Sequence, residues 1–498
     1  MRAQRSSTRV SRILEQSLPS TSLCILRRLL CGPAPARPLV AMSPLTRSSQ
    51  PEHQHHGLGV NHVQKPWGPR LGVAAAAGST SPSASLSPFN YRITSCMDSG
   101  NIEVVDVPEE GTVNLAIRPD PFCATDGRAH FQWFNFRLVG AAGQPLRLRI
   151  VNAGAASYAP AWNGYQACAS YDLQDWFRVP TTYDAENGVM TISHTPQYDA
   201  VQYAYFAPYT LDRHAALLAR MQGRSRSDLP VRLHVLGTSL DGRDLEMLQI
   251  GPAASLPVDA GAAAPPAPST ASTSGSSAPL RVWVIARQHP GESMAEWFAE
   301  GLLERLTDPE DGLARSFLGK ACVYVVPNMC PDGSFRGHLR TNAAGTNLNR
   351  AWAAPSLESS PEVLHTLAAM ERTGVDFFID VHGDEELPHV FVAGLDGIPA
   401  WGPRLRELQA AFCAAYSRHA PEFQTAHGYA VDKPGAANLS LASKQVGQRF
   451  DCLSLTLEMP FKDSLEVPDP RVGWSPGRAK RLGAALLGAI NEVAHMLR

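Results

Sequence analysis

Between residues 89 and 251 apolar and polar positions alternate with a period of two. Phe134, Phe136 and Leu138 flank Asn135 and Arg137, and Leu146, Leu148 and Ile150 flank Arg147 and Arg149; Val201, Tyr203 and Tyr205 repeat the spacing. A strand sends alternate side chains to opposite faces, so the pattern predicts antiparallel strands with one face buried and one wet. Ala142-Gly143 and Asn187-Gly188 supply turns between the runs. Together they predict an N-terminal β-sandwich domain over residues 89–251.

From Leu280 onward the pattern changes. Near-continuous apolar runs at 282–286, 323–326, 377–381 and 453–457 are separated by stretches of helical period at 294–306, 361–372 and 401–416, with a closing helix over 478–497. Strands with no polar face are buried on both sides, and joined through helices they predict an α/β domain over 281–498 with a mixed or mostly parallel sheet. Ser293 followed three residues later by Glu296 predicts a capping box at the start of one helix.

Two stretches lack either period. Residues 252–280 are almost entirely Ala, Pro, Ser, Thr, Gly and Val, with Asp259 the only charge, which reads as a low-complexity linker or an inserted surface loop. Over the first 50 residues Arg2, Arg5, Arg9, Arg12, Arg27, Arg28, Arg37 and Arg47 stand against one acid, Glu15. That composition fits a transit segment for a mitochondrion or plastid; the other readings are a disordered extension or a start further on, at Met42 or Met97. Residues 1–88 are assigned no fold.

Composition narrows the picture further. Of 498 residues 44% are hydrophobic and 18% charged, the signature of a globular chain, and a formal net charge of -2 gives no reason to expect nucleic acid. No uncharged apolar run approaches the roughly 18 residues that a membrane span requires. Nine cysteines without a C-x-x-C pair predict a reducing, intracellular setting, in the cytosol if the leader does not direct the chain to an organelle.

The candidate chemistry gathers in the second half. His289 and Glu292 lie in Arg287-Gln288-His289-Pro290-Gly291-Glu292, directly after a buried strand, and His382 ends the strand 377–381. Two histidines and a carboxylate at strand ends facing one crevice could hold a zinc ion with a fourth position left for water. Each alone has a plainer reading, as a surface loop or a satisfied core histidine. Glu458 closes the apolar run of Leu453 to Leu457, where an acid is costly unless paired or functional. A segment rich in arginine, with Arg336, Arg340 and Arg350, lies between the histidines and would add positive charge beside a metal.

His-Pro-Gly-Glu, Pro-Asp-Gly, Asn-Arg-x-Trp, Asp-x-His-Gly and Thr-Leu-Glu-Met-Pro-Phe-Lys-Asp, in that order, resemble the motifs of the zinc carboxypeptidase family. The resemblance is greatest to its cytosolic carboxypeptidase branch of bacterial type, which joins a β-sandwich to the peptidase domain, and it runs from about Asp98 to the C-terminus apart from 252–280. It implies one zinc ion on His289, Glu292 and His382, with Glu458 as general base and Arg340 stabilising the oxyanion. Asn349 and Arg350 would hold the terminal carboxylate of the substrate, making the enzyme an exopeptidase that acts on peptide or protein C-terminal tails. An acidic C-terminal residue is expected, with Lys444 or Arg449 in the specificity pocket.

The chain departs from the family at three places. Cys330 stands before Pro331-Asp332-Gly333 where relatives have Asn, and Asn347 stands where many have Asp beside the first zinc histidine. The tyrosine that relatives fold over substrate has no assigned counterpart, Tyr429 being the nearest upstream candidate. Two other readings stay open: a zinc amidohydrolase of the aspartoacylase or succinylglutamate desuccinylase type, and a zinc-binding protein without catalysis.

Overall fold

A computed structural model describes residues 91–123, 129–252 and 278–497. The leader expected over 1–88 and nearly all of the low-complexity stretch lie outside the described residues.

The period-two segment forms two five-stranded sheets. One orders β1 (Arg92–Thr94), β4 (Asn135–Val139), β10 (Ala200–Ala204), β6 (Ala167–Ser170) and β7 (Phe177–Val179). The other orders β2 (Glu103–Glu109), β3 (Thr112–Ala116), β5 (Leu146–Ile150), β9 (Val189–His194) and β8 (Thr181–Asp184). Neighbours run antiparallel except β3 and β5, which are parallel. Phe136 and Leu138 of β4 point inward while Arg137 is exposed, and they share a core with Leu148 and Ile192 of the other sheet. Phe136 faces Tyr203 across the β4–β10 pair at a ring separation of 5.3 Å.

A seven-stranded mixed sheet follows, ordered β11 (Val231–Thr238), β12 (Asp244–Ile250), β14 (Ala321–Val326), β13 (Leu280–Ala286), β15 (Phe377–Val381), β17 (Leu453–Glu458) and β16 (Phe391–Ala393). The four strands β14, β13, β15 and β17 are parallel and both margins are antiparallel. Around it lie α1 (Leu211–Gly223), α2 (Met294–Leu306), α3 (Gly312–Leu318), α4 (Pro331–Arg336), α5 (Pro361–Thr373), α6 (Pro403–His419), α7 (Ala442–Phe450) and α8 (Pro476–Val493). Proline opens α4, α5, α6 and α8, at the position where its missing N–H has no intrahelical partner to lose.

Both faces of the central strands are buried, which explains their unbroken apolar runs. Val282 and Val284 of β13 pack with α2, α6 and α8 residues such as Phe298, Phe412 and Leu486, while Trp283 and Ile285 pack on the opposite side with Val363 of α5 and Val446 of α7. The result is three layers, helix on sheet on helix.

Two expectations need adjustment. Residues 211–250 fall within the span expected for the sandwich, yet β12 pairs with β14 and brings β11 into the seven-stranded sheet. The low-complexity stretch therefore joins two strands of one sheet instead of joining two domains. An edge strand with one wet face shows the same alternation as a sandwich strand, so periodicity could not separate them. The capping box at α2 also does not form. Ser293 donates to the Ala207 carbonyl at 2.9 Å, and Glu296 is taken by His214 at 2.5 Å and Arg287 at 2.8 Å.

Candidate active site

Three parallel strands deliver the candidate residues to one edge of the sheet. His289 and Glu292 follow β13, His382 follows β15, and Glu458 ends β17. In sheet order β13 has β14 on one side and β15 on the other, the switch point at which such sheets open a crevice beyond their carboxyl ends. Arg287 turns the chain there at φ +60°, an unfavourable backbone for a residue with a Cβ. Its buried guanidinium holds the turn, donating to the carbonyls of Pro290 at 3.0 Å and Tyr209 at 2.6 Å and to the Glu296 carboxylate. Gly291 donates to the Leu339 carbonyl at 2.9 Å, and a Cβ on Gly291 would stand 2.8 Å from that oxygen.

The structure brings His289, Glu292 and His382 together, all buried, with their donor atoms within 4.8 Å of one another. Glu292 lies 2.7 Å from Nδ1 of each histidine, through Oε1 to His289 and Oε2 to His382. The two Nδ1 atoms are 3.2 Å apart. Zinc–nitrogen bonds of about 2.0–2.1 Å at tetrahedral angles place two ligand nitrogens roughly 3.3 Å apart, so the spacing fits one ion.

The outer nitrogens argue the same way. His289 Nε2 faces Asn347 Oδ1 at 3.0 Å, and that oxygen also accepts the Asn349 amide at 3.1 Å, which fixes it as the acceptor. His382 Nε2 faces Asp380 Oδ2 at 2.8 Å, and Gln288 donates to the same oxygen at 2.6 Å. Burial and the nearby Arg340 hold His289 down to about 3, so the neutral ring has one proton for two acceptors, Glu292 Oε1 and Asn347 Oδ1, and one ring nitrogen faces an oxygen bare. At His382 burial is outweighed by Asp380 and Glu292, which raise its pKa and let a proton bridge ring and carboxylate. A cation between Nδ1 of His289 and Glu292 would leave the ring proton on Nε2, toward Asn347, and satisfy both nitrogens.

Glu458 is buried and its Oε2 has no hydrogen-bond partner. Burial pushes its carboxyl well above the ordinary carboxylate range; His382 opposes this, and Glu292, Asp384 and Glu385 add to it. The residues meet in a cavity of about 520 Å³ whose lining includes Arg340, Asn349, Arg350, Lys444, Tyr429 and Tyr158. A larger, more open crevice of about 1050 Å³ between α1, α2 and α8 carries no such group, since His289, Glu292 and His382 form the one metal-capable cluster among the described residues.

Within the cavity Asn349 Oδ1 accepts the Ala442 amide at 2.8 Å and Arg350 donates to the Asn349 carbonyl at 2.7 Å. Lys444 donates to the Asp396 carbonyl at 2.7 Å and pairs with Asp432 at 2.8 Å. Arg449 does not reach the cavity: it lies near the end of α7 and pairs with Glu371 at the surface. Tyr429, left unassigned by sequence, lines the cavity and donates to Asp384 Oδ2 at 2.6 Å. Asp332 of the Pro-Asp-Gly motif faces elsewhere, accepting from Ser239, the Asp241 amide and Arg243.

Sequence reasoning missed Asp380, Asp384, Glu385 and Tyr158. Asp380 carried a signal, since it precedes His382 by two and a strand puts both on one face. Tyr158 comes from the sandwich and carried none.

Residues 93–206 match the cytosolic carboxypeptidase N-terminal domain, and residues 219–393 match the zinc carboxypeptidase domain. The chain is 46% identical to a metallo-carboxypeptidase from Pseudomonas aeruginosa, covering 82% of this chain and 100% of that one with a TM-score of 0.73. A metallo-carboxypeptidase from Burkholderia cenocepacia is 44% identical, over 81% of this chain and 100% of its own, also at 0.73. An uncharacterised protein of Zymomonas mobilis is 43% identical over 409 residues, 82% of this chain and 98% of that protein. The chain belongs to the zinc carboxypeptidase family, with the N-terminal domain of its cytosolic branch. Its activity is that of a metallocarboxypeptidase, a hydrolase acting on C-terminal residues. No described helix is long and apolar enough to cross a membrane.

Proposed function

We propose that His289, Glu292 and His382 hold one zinc ion and that Glu458 acts as general base and acid in removing single C-terminal residues from peptides or protein tails. The observation that carries this is the buried, unpartnered Oε2 of Glu458 in the same cavity as the converging ligand set. A bound zinc ion supplies Lewis acidity to the reacting water and carbonyl. Glu458, kept basic by burial, takes a proton from the attacking water and returns it to the leaving amine. Arg340 faces the charge that develops on the carbonyl oxygen. Asn349 and Arg350 bind the substrate's terminal carboxylate, for which an arginine fork is suited.

The preferred terminal side chain is proposed to be acidic, on the strength of Lys444 in the cavity wall. A basic side chain is the second reading, because Asp432 already engages Lys444 and Asp384, Glu385 and Glu386 line the same cavity. The Pseudomonas relative is solved in complex with (2-guanidinoethylmercapto)succinic acid, which carries a guanidine beside two carboxyls.

The test follows peptides ending in Glu, Lys and Phe by mass spectrometry, using the full zinc-loaded chain beside its Glu458→Gln variant. Stepwise loss of single C-terminal residues, abolished by the substitution, is expected, with Glu removed fastest. Faster removal of Lys transfers the preference to the second reading. Cleavage of an N-acyl amino acid with no peptide trimmed would replace the peptidase with an amidohydrolase.

A further inference from the structure

The main chain that carries Arg340 is fixed by a carboxylate from the other domain. Asp120 lies in the sandwich segment after β3, and its Oδ1 accepts the Leu339 amide at 2.7 Å. Its Oδ2 accepts the amides of Arg340 at 2.8 Å and Thr341 at 3.0 Å and the Thr341 hydroxyl at 3.1 Å. Three successive amides and a hydroxyl thus converge on one carboxylate that is only 5% exposed. Hydrogen bonds to an ionised acceptor are roughly twice as strong as neutral ones, and here they act on consecutive residues.

Asp120 is itself anchored. Its amide donates to the His130 carbonyl at 2.8 Å; nearby, Asn101 accepts the Arg118 amide and donates to the Gly337 carbonyl, both at 3.0 Å. On the far side of residues 339–341, the Leu339 carbonyl accepts Gly291 N–H from the loop carrying His289 and Glu292. One short segment is therefore clamped between the sandwich and the metal-ligand loop. The Arg340 guanidinium makes no hydrogen bond among the described residues, while its main-chain N–H is held by Asp120.

We propose that Asp120 is a positioning residue for Arg340, through which the N-terminal domain contributes to the rate without touching the substrate at this point. The inference rests on the reading of Arg340 as the group that stabilises the developing oxyanion. Asp120→Asn replaces one acceptor oxygen with an NH₂ facing main-chain N–H groups, which loosens the segment while nearly preserving its size.

The experiment measures kcat and KM on a C-terminal peptide for the full zinc-loaded chain, Asp120→Asn, Arg340→Ala and the double variant, with zinc content and melting temperature. A displacement of about 1 Å in a catalytic group can cost on the order of 100-fold, so Asp120→Asn is expected to lower kcat by roughly 10–100-fold with KM little changed and zinc retained. In the Arg340→Ala background the same change is expected to cost less than about threefold, because coupled residues are not additive. Losses that multiply in the double variant, an unchanged kcat, or a rise in KM alone would overturn the proposal. If Asp120→Asn does not fold, Thr341→Val removes one of the four contacts and is expected to lower kcat several-fold with the same non-additivity; an unchanged kcat there overturns it equally. Arg340→Ala with wild-type kcat would instead remove the reading of Arg340, a separate and distinguishable failure.

Discussion

Asp380 holds His382 through Oδ2 at 2.8 Å from Nε2, two residues back along the chain, whereas the partner of His289 Nε2 is uncharged. Asn347 fills the corresponding place with an amide oxygen at 3.0 Å. Gln288 steadies Asp380, and Trp352 in turn donates to Gln288 at 2.8 Å. The two ring orientations are thus secured by different chemistry, and a carboxylate makes the far nitrogen a better donor to metal than an amide does.

Loss of that carboxylate is expected to weaken the metal site. Asp380→Asn should lower zinc affinity by about 10–100-fold, while Asn347→Asp should raise it, both read by competition with a chelator. Equal affinity in all three proteins would mean that these outer partners only set ring orientation.

If the proposed acidic preference holds, Asp432 competes with the substrate for Lys444. Asp432 is partly exposed while the Lys444 side chain is buried. Asp432→Asn is expected to free the ammonium and raise kcat/KM for Glu-terminated over Phe-terminated peptides by about two- to fivefold, and Lys444→Ala to reduce that ratio. A Glu/Phe ratio that neither substitution moves would remove Lys444 from specificity.

Helix packing offers a test away from the site. A Cβ on Gly483 of α8 would lie 2.0 Å from the Phe298 carbonyl of α2, and one on Gly301 of α2 would lie 2.0 Å from the Lys480 carbonyl of α8. The two backbones touch, and neither can give way without separating the helices. Gly483→Ala is expected to destabilise the fold by roughly 1–3 kcal/mol, seen as a lower unfolding midpoint in denaturant with wild-type zinc content in the folded fraction. An unchanged midpoint would show that α8 can shift without cost.

What the sequence disclosed follows from how local each feature is. The buried strands, the helices and the positions of His289, Glu292, His382 and Glu458 depend on short runs, and β15 was expected over the same residues that form it. Asp380 could have been read from its spacing to His382. Asp120 could not, being 220 residues from Arg340 with no pattern linking them. Lys444 and Arg449 looked equivalent five positions apart, but α7 carries Lys444 into the cavity and Arg449 to the surface. Ser293 and Glu296 matched a local motif and were claimed by longer-range partners, Ala207, His214 and Arg287. Composition also could not separate a stretch that joins two domains from one that joins two strands, as 252–280 does.

Those same partners set a dependence of stability on pH. His214 is buried between two carboxylates, with Nδ1 at 2.5 Å from Glu296 and Nε2 at 3.1 Å from Glu246. Burial works against its charge, but Glu296 and Glu246 prevail and hold its pKa at about 9. In the unfolded chain an imidazole titrates near 6.5. A folded pKa above the unfolded one gives stability that is complete below about 6.5 and disappears as pH rises through about 9. The amount is on the order of 3 kcal/mol. Melting temperature is therefore expected to fall between pH 7 and 10 in the wild-type chain, and to fall much less in His214→Gln, whose lower starting stability would converge with the wild type at high pH. Parallel decline of the two proteins would assign the linkage to other groups.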